Sequence, residues 1–86
     1  MIQIVNGLFL SNYNSAKNER LLDFNSIKCI ITVARNLNLN LDREKYLQYK
    51  YDFEDDNEQI LIDKFQEIYD IIHNQIEQQK NVLVHW

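Results

Sequence analysis

The spacing of apolar positions changes period several times along the chain, and each change marks an element. Gln3-Ile4-Val5 and Leu8-Phe9-Leu10 flank Asn6-Gly7. Asn-Gly readily takes the two positive φ angles of a type I′ turn, so the pattern predicts a hairpin of two short antiparallel strands. Ser15 precedes Ala16-Lys17-Asn18-Glu19-Arg20-Leu21-Leu22, with Glu19 and Leu22 placed as a capped, one-sided short helix needs them. Ser26 to Ala34 is β-branched and nearly all apolar, the composition of a central strand covered on both faces. Asn36 to Leu41 alternates strictly but in Asn-rich company that favours turns, and reads as irregular. Tyr46 to Phe53 alternates aromatic and polar residues and predicts a further strand.

From Glu58 to about Gln79, Leu61, Phe65, Ile68, Ile72 and Ile76 recur at steps of three and four, which predicts a long amphipathic helix. The acidic run Glu54-Asp55-Asp56-Asn57-Glu58 sits where the helix macrodipole favours negative charge. The pattern closes on Asn81-Val82-Leu83-Val84-His85-Trp86, an apolar strand running into a histidine. Strands alternating with helices imply an α/β fold with a mainly parallel central sheet, flanking helices and right-handed crossovers, Val82 to Val84 being a central strand. In open α/β sheets ligands bind just past the carboxyl ends of the strands. The expected functional position is therefore at or beyond His85.

Eighty-six residues allow one domain, spanning 1–86; a chain of this size buries only about 60 % of the surface that its unfolded form exposes. Hydrophobic residues at 45 % and charged residues at 26 % are ordinary globular values. A net charge of -4 without a concentrated Lys/Arg face argues against nucleic acid or an anionic membrane as partner. Met1 to Gly7 has no basic leader pattern, and no apolar run approaches the roughly 20 residues of a membrane span, so a cytoplasmic or nuclear location is expected. Cys29 alone can form no internal disulfide and no zinc ligand pair.

The order of elements, the acidic loop before the long helix and the closing Val82-Leu83-Val84-His85 together resemble the dual-specificity protein phosphatases, the compact branch of the protein tyrosine phosphatase superfamily. Val5-Asn6-Gly7-Leu8-Phe9-Leu10-Ser11, Asn14-Ser15-Ala16, Leu21-Leu22, Ile27 to Val33 and Phe65 to Ile76 follow in the order that the family shows. The resemblance implies hydrolysis of phosphate monoesters on phosphorylated proteins through a phosphocysteine intermediate, with no metal or organic cofactor. It also implies that the fold here lacks the family's C-terminal helices.

In that family the residue after the histidine is the catalytic cysteine, followed by five residues, an arginine and a serine or threonine. Trp86 stands at the cysteine position. A thiolate nucleophile needs a lowered pKa, which successive backbone N–H groups at a helix N-terminus supply while also holding phosphate. An indole cannot do that work. The resemblance puts the general acid about thirty residues earlier, on the loop entering the long helix, where Asp55 aligns best and Asp52 and Asp56 are alternatives. The same carboxylates could simply cap the helix. His85 takes the place of the histidine packed beneath the phosphate loop.

Among the other candidates, Cys29 reads as a buried inert thiol in mid-strand, His73 as a helix-flank residue and Arg35 as a solvated loop charge. Tyr46, Tyr49, Tyr51 and Tyr69 read as core and rim aromatics. Three functions compete: the N-terminal part of an active phosphatase, interrupted at Trp86 and inactive as it stands; a non-catalytic phosphatase-like binding module; and an unrelated small α/β domain. An unspliced intron would produce the first, because a cysteine codon cut after TG and read into an intron beginning GT becomes TGG, tryptophan.

Overall fold

Asparagines, not the serine, set where the first helices begin. In the computed structural model, which describes residues 1–54 and 56–86, the elements run β1 (Ile2–Val5), β2 (Leu8–Ser11), α1 (Tyr13–Ala16), α2 (Glu19–Phe24), β3 (Ile27–Val33), β4 (Leu47–Tyr51), α3 (Glu58–Glu77) and β5 (Asn81–His85). The single helix expected after Ser15 is two. Asn12 Oδ1 accepts from the Ser15 N–H and Asn18 Oδ1 from the Leu21 N–H, each satisfying a donor that a helix start leaves unpaired. Ser15 lies inside the first of these turns rather than ahead of it.

The hairpin forms without the expected type I′ turn. Gly7 has φ 89°, but Asn6 is not in the positive-φ region, and the register shifts between Gln3 and Val5. A bulge raises local twist, so it supplies what a primed turn would otherwise provide. Gly7 is also constrained from outside, since a Cβ there would stand 3.1 Å from Ile76 of α3. Ser26, expected at the start of β3, has φ 55° and belongs to the turn before it. Residues 36–41 are irregular, as their asparagines suggested.

The described residues form one mixed, mostly parallel sheet in the order β1-β2-β5-β3-β4, in which only the β1–β2 pairing is antiparallel. β5 is therefore central, with β2 on one side and β3 on the other. Its residues alternate between two cores. Leu83 joins Phe9, Ala16, Leu22, Ile27, Ile30, Leu39 and Tyr46 under α1 and α2. Val82 joins Cys29, Ile31 and Tyr51 under α3, against which Ile68, Ile71, Ile72 and Ile76 pack.

Phe65, counted with that apolar stripe in the sequence, is 56 % exposed and turns toward Phe53, ring to ring at 5.2 Å. The stripe drifts off the sheet toward the start of the helix.

Candidate functional site at the carboxyl edge of the sheet

Parallel pairing brings the ends of β2, β5, β3 and β4 to one edge, at Ser11, His85, Val33 and Tyr51. Register places them level. Thr32 lies opposite His85, and Val33 opposite Tyr51. The loop leaving β4 and the residue leaving β5 thus flank the end of β3, two strand spacings or roughly 10 Å apart. Groups reaching in from both sides would meet over the end of β3.

His85 is fully buried, and its Nε2 lies 2.6 Å from Thr32 Oγ1, one hydrogen bond whose donor depends on the imidazole tautomer. Nδ1 is buried with no hydrogen-bond partner among the described residues. Burial pushes the His85 pKa below the ordinary histidine value, opposed more weakly by the Trp86 backbone, which is near enough to act on the ring but outside hydrogen-bond geometry. The imidazole is neutral. Tyr13 lies beside it, ring centroids 6.4 Å apart, and Trp86 is exposed.

The acidic loop is tethered from two directions. Arg35, just after β3, holds Asp52 at 3.0 Å and Glu54 at 3.2 Å. Lys64, one turn or more into α3, donates to the Asp52 carbonyl and to Asp56 at 2.6 Å. Arg35 is thus an ion-pairing residue rather than a purely solvated charge. The Glu54 N–H, then Arg35, hold the Asp52 carboxyl below its usual range, so Asp52 stays ionised and is a poor proton donor at neutral pH. Asp56 is committed to Lys64, with 15 % of its side chain exposed. Asp55, the expected general acid, lies outside the described residues.

Elsewhere the sequence-based expectations meet the structure more simply. Cys29 is fully buried between β5 and β4, and desolvation pushes its thiol up to about 11, leaving essentially no thiolate at neutral pH. His73 pairs with Glu77 at 3.0 Å on the outer face of α3 and stacks on the exposed Tyr69. Tyr46 and Tyr51 are buried, each donating its hydroxyl at 2.6 Å to a carboxylate, Asp23 and Glu67 respectively. Thr32 and Lys64 were missed. A lone threonine within an apolar strand was the available signal for Thr32. Lys64 has the pattern of any charge on a polar helix flank.

A hollow of about 280 Å³ opens at this edge beside Trp86, Ser11 and Asn12. A larger one, about 350 Å³, lies at the opposite, amino edge near Ser26 and Lys80 and takes no part in this arrangement. Among the described residues no group of three or more His, Cys, Asp or Glu could hold a metal ion, and no helix is long and apolar enough to cross a membrane. No protein-family model and no curated protein matches the chain.

Proposed function

We propose that residues 1–86 form the N-terminal part of a phosphatase-like domain of the dual-specificity type, which hydrolyses phosphate monoesters on proteins through a cysteine thiolate. The observation that carries this reading is the carboxyl edge. A central parallel strand ends there on the buried, neutral His85, bonded to Thr32 and open at Nδ1. The acidic loop, anchored by Arg35 and Lys64, stands two strand spacings away on the other side of β3. A loop leaving β5 would find an imidazole beneath it and acidic residues beside it, the pair of supports that thiolate attack and leaving-group protonation need.

In this reading Asp55 is the general acid, which would protonate the leaving oxygen and then act as base toward water. Asp52 and Asp56 are the loop's anchors, since both are engaged by cations. The nucleophile is absent from residues 1–86: Trp86 stands at its position and Cys29 is sealed in the core. These residues alone therefore turn over no phosphate ester. A phosphorylated protein is the substrate class for the complete domain.

The deciding experiment is to sequence the transcript across codon 86. The reading expects a spliced message in which that codon becomes cysteine and is followed by five residues, an arginine and a serine or threonine. Messages that all carry TGG followed directly by a stop would exclude it and leave the non-catalytic alternatives.

A further inference from the structure

Among the described residues β1 is an outer strand of the sheet, paired only with β2, so one side of its backbone carries N–H and C=O groups that no strand pairs. All four of its residues are exposed, including Ile2 at 67 %, Ile4 at 51 % and Val5 at 57 %. Natural edges are commonly blunted with lysine, other charges or proline. This one has none of them, its only blunting devices being its four-residue length and the register shift between Gln3 and Val5. No charged side chain occurs before Lys17, although the chain as a whole carries -4.

We propose that the free edge of β1 pairs antiparallel with β1 of a second copy of this chain, joining two sheets into one. The backbone ladder requires an extended strand as occupant, and the uncharged, β-branched side chains require a partner equally free of charge. A second copy meets both conditions. It also meets them where two acidic chains repel least. The competing apolar stripe, Ile62, Phe65 and Tyr69 on α3, shares its helix with Glu58, Asp63, Glu67, Asp70 and Glu77 against Lys64 alone, so two copies meeting there would set carboxylates against carboxylates.

Isologous pairing consumes the edge that makes it and therefore stops at two. The other outer strand, β4, bears the exposed Lys50 and does not extend the array. The bulge between Gln3 and Val5 shortens the straight part of the edge, which keeps the contact below the 1,200–2,000 Å² of a standard interface. An interface of that size belongs to the weak, transient class, and a Kd of roughly 0.1–1 mM is the range to test.

Sedimentation equilibrium of the 86-residue chain across concentrations bracketing that value tests the pairing. A reversible monomer–dimer equilibrium with no larger species is expected, weakened about tenfold or more by Ile4→Lys and unchanged by Ile62→Lys. A monomer throughout, open-ended growth, or dissociation caused by Ile62→Lys would overturn it. Should Ile4→Lys prove unfolded by circular dichroism, thiol cross-linking decides instead. Cys29 is buried, so an introduced cysteine is the accessible thiol, and Gln3→Cys must form a covalent dimer faster than Ile62→Cys. Equal rates would reject the β1 interface.

Discussion

The two faces of the sheet are covered by opposite means. Under α1 and α2, two helices of four and six residues bury Ala16 and Leu22 completely, although neither helix is long enough to be stable alone. Under α3, a helix of twenty residues leaves none of its own side chains fully buried and exposes Ile60, Ile62, Phe65 and Tyr69. Length and regularity therefore do not measure how much a helix contributes to the core. The short pair also carries a polar lock, in which Tyr46 donates to Asp23 while Lys45 bridges Asp23 at 2.9 Å and Glu19 at 2.8 Å. What the short helices lack in hydrogen-bonded turns, complete side-chain burial and this lock supply.

The strongest challenge to that contrast is truncation on each face. Leu22→Ala removes a fully buried side chain and is expected to cost about 3–4 kcal/mol. Ile72→Ala, on the half-buried inner side of α3, is expected to cost about half as much. Urea unfolding at unchanged m-value measures both, and equal costs would mean that the faces are not different in kind.

A smaller effect is expected for Tyr46→Phe, which deletes a hydroxyl bonded to a carboxylate that is itself open to solvent. Its pH dependence sharpens the point. The Tyr46 hydrogen bond first, then Lys45, hold the Asp23 pKa below 3.8, so this stabilisation is present above that pH and is lost as pH falls through the folded value. Wild type and Tyr46→Phe should therefore converge in acid; a constant gap down to pH 2 would show that the hydroxyl acts by packing instead.

The smallest effect concerns the histidine at the end of the same face. Its pKa lies below 6.5 because burial disfavours the cation. Stability from keeping it neutral is full above pH 6.5 and is lost as pH falls from there through the folded pKa, at no more than about 1.4 kcal/mol per unit. His85→Gln should flatten that part of the stability curve. An unchanged slope would assign it to another group.

Much of the architecture was legible because burial imposes periods on the side chains. β3 and β5 read as buried strands because an interior parallel strand tolerates apolar residues on both faces, and Ile30, Ile31, Val82 and Leu83 are indeed sealed on both. α3 was legible because Ile68, Ile72 and Ile76 recur on the side that meets the sheet. α1 and α2 were not separable, since one turn gives no period and the signal was two asparagine caps within seven residues. Of the edge site, His85 was visible as a polar break in an apolar run. Its bond to Thr32 was not, because the two lie fifty-three positions apart and meet only through strand register.

The sequence by itself determined where the strands and the long helix lie, that the sheet is mostly parallel, and that Cys29 is inert, because hydrophobic period and composition are local properties that burial writes directly into the chain. Only the tertiary structure decided that β5 lies between β2 and β3, that Asp52 and Asp56 serve as anchors for Arg35 and Lys64, and that the uncharged β1 stands at the edge of the sheet. Those facts depend on which residues far apart in the chain come within hydrogen-bonding distance, and no period along the chain encodes that.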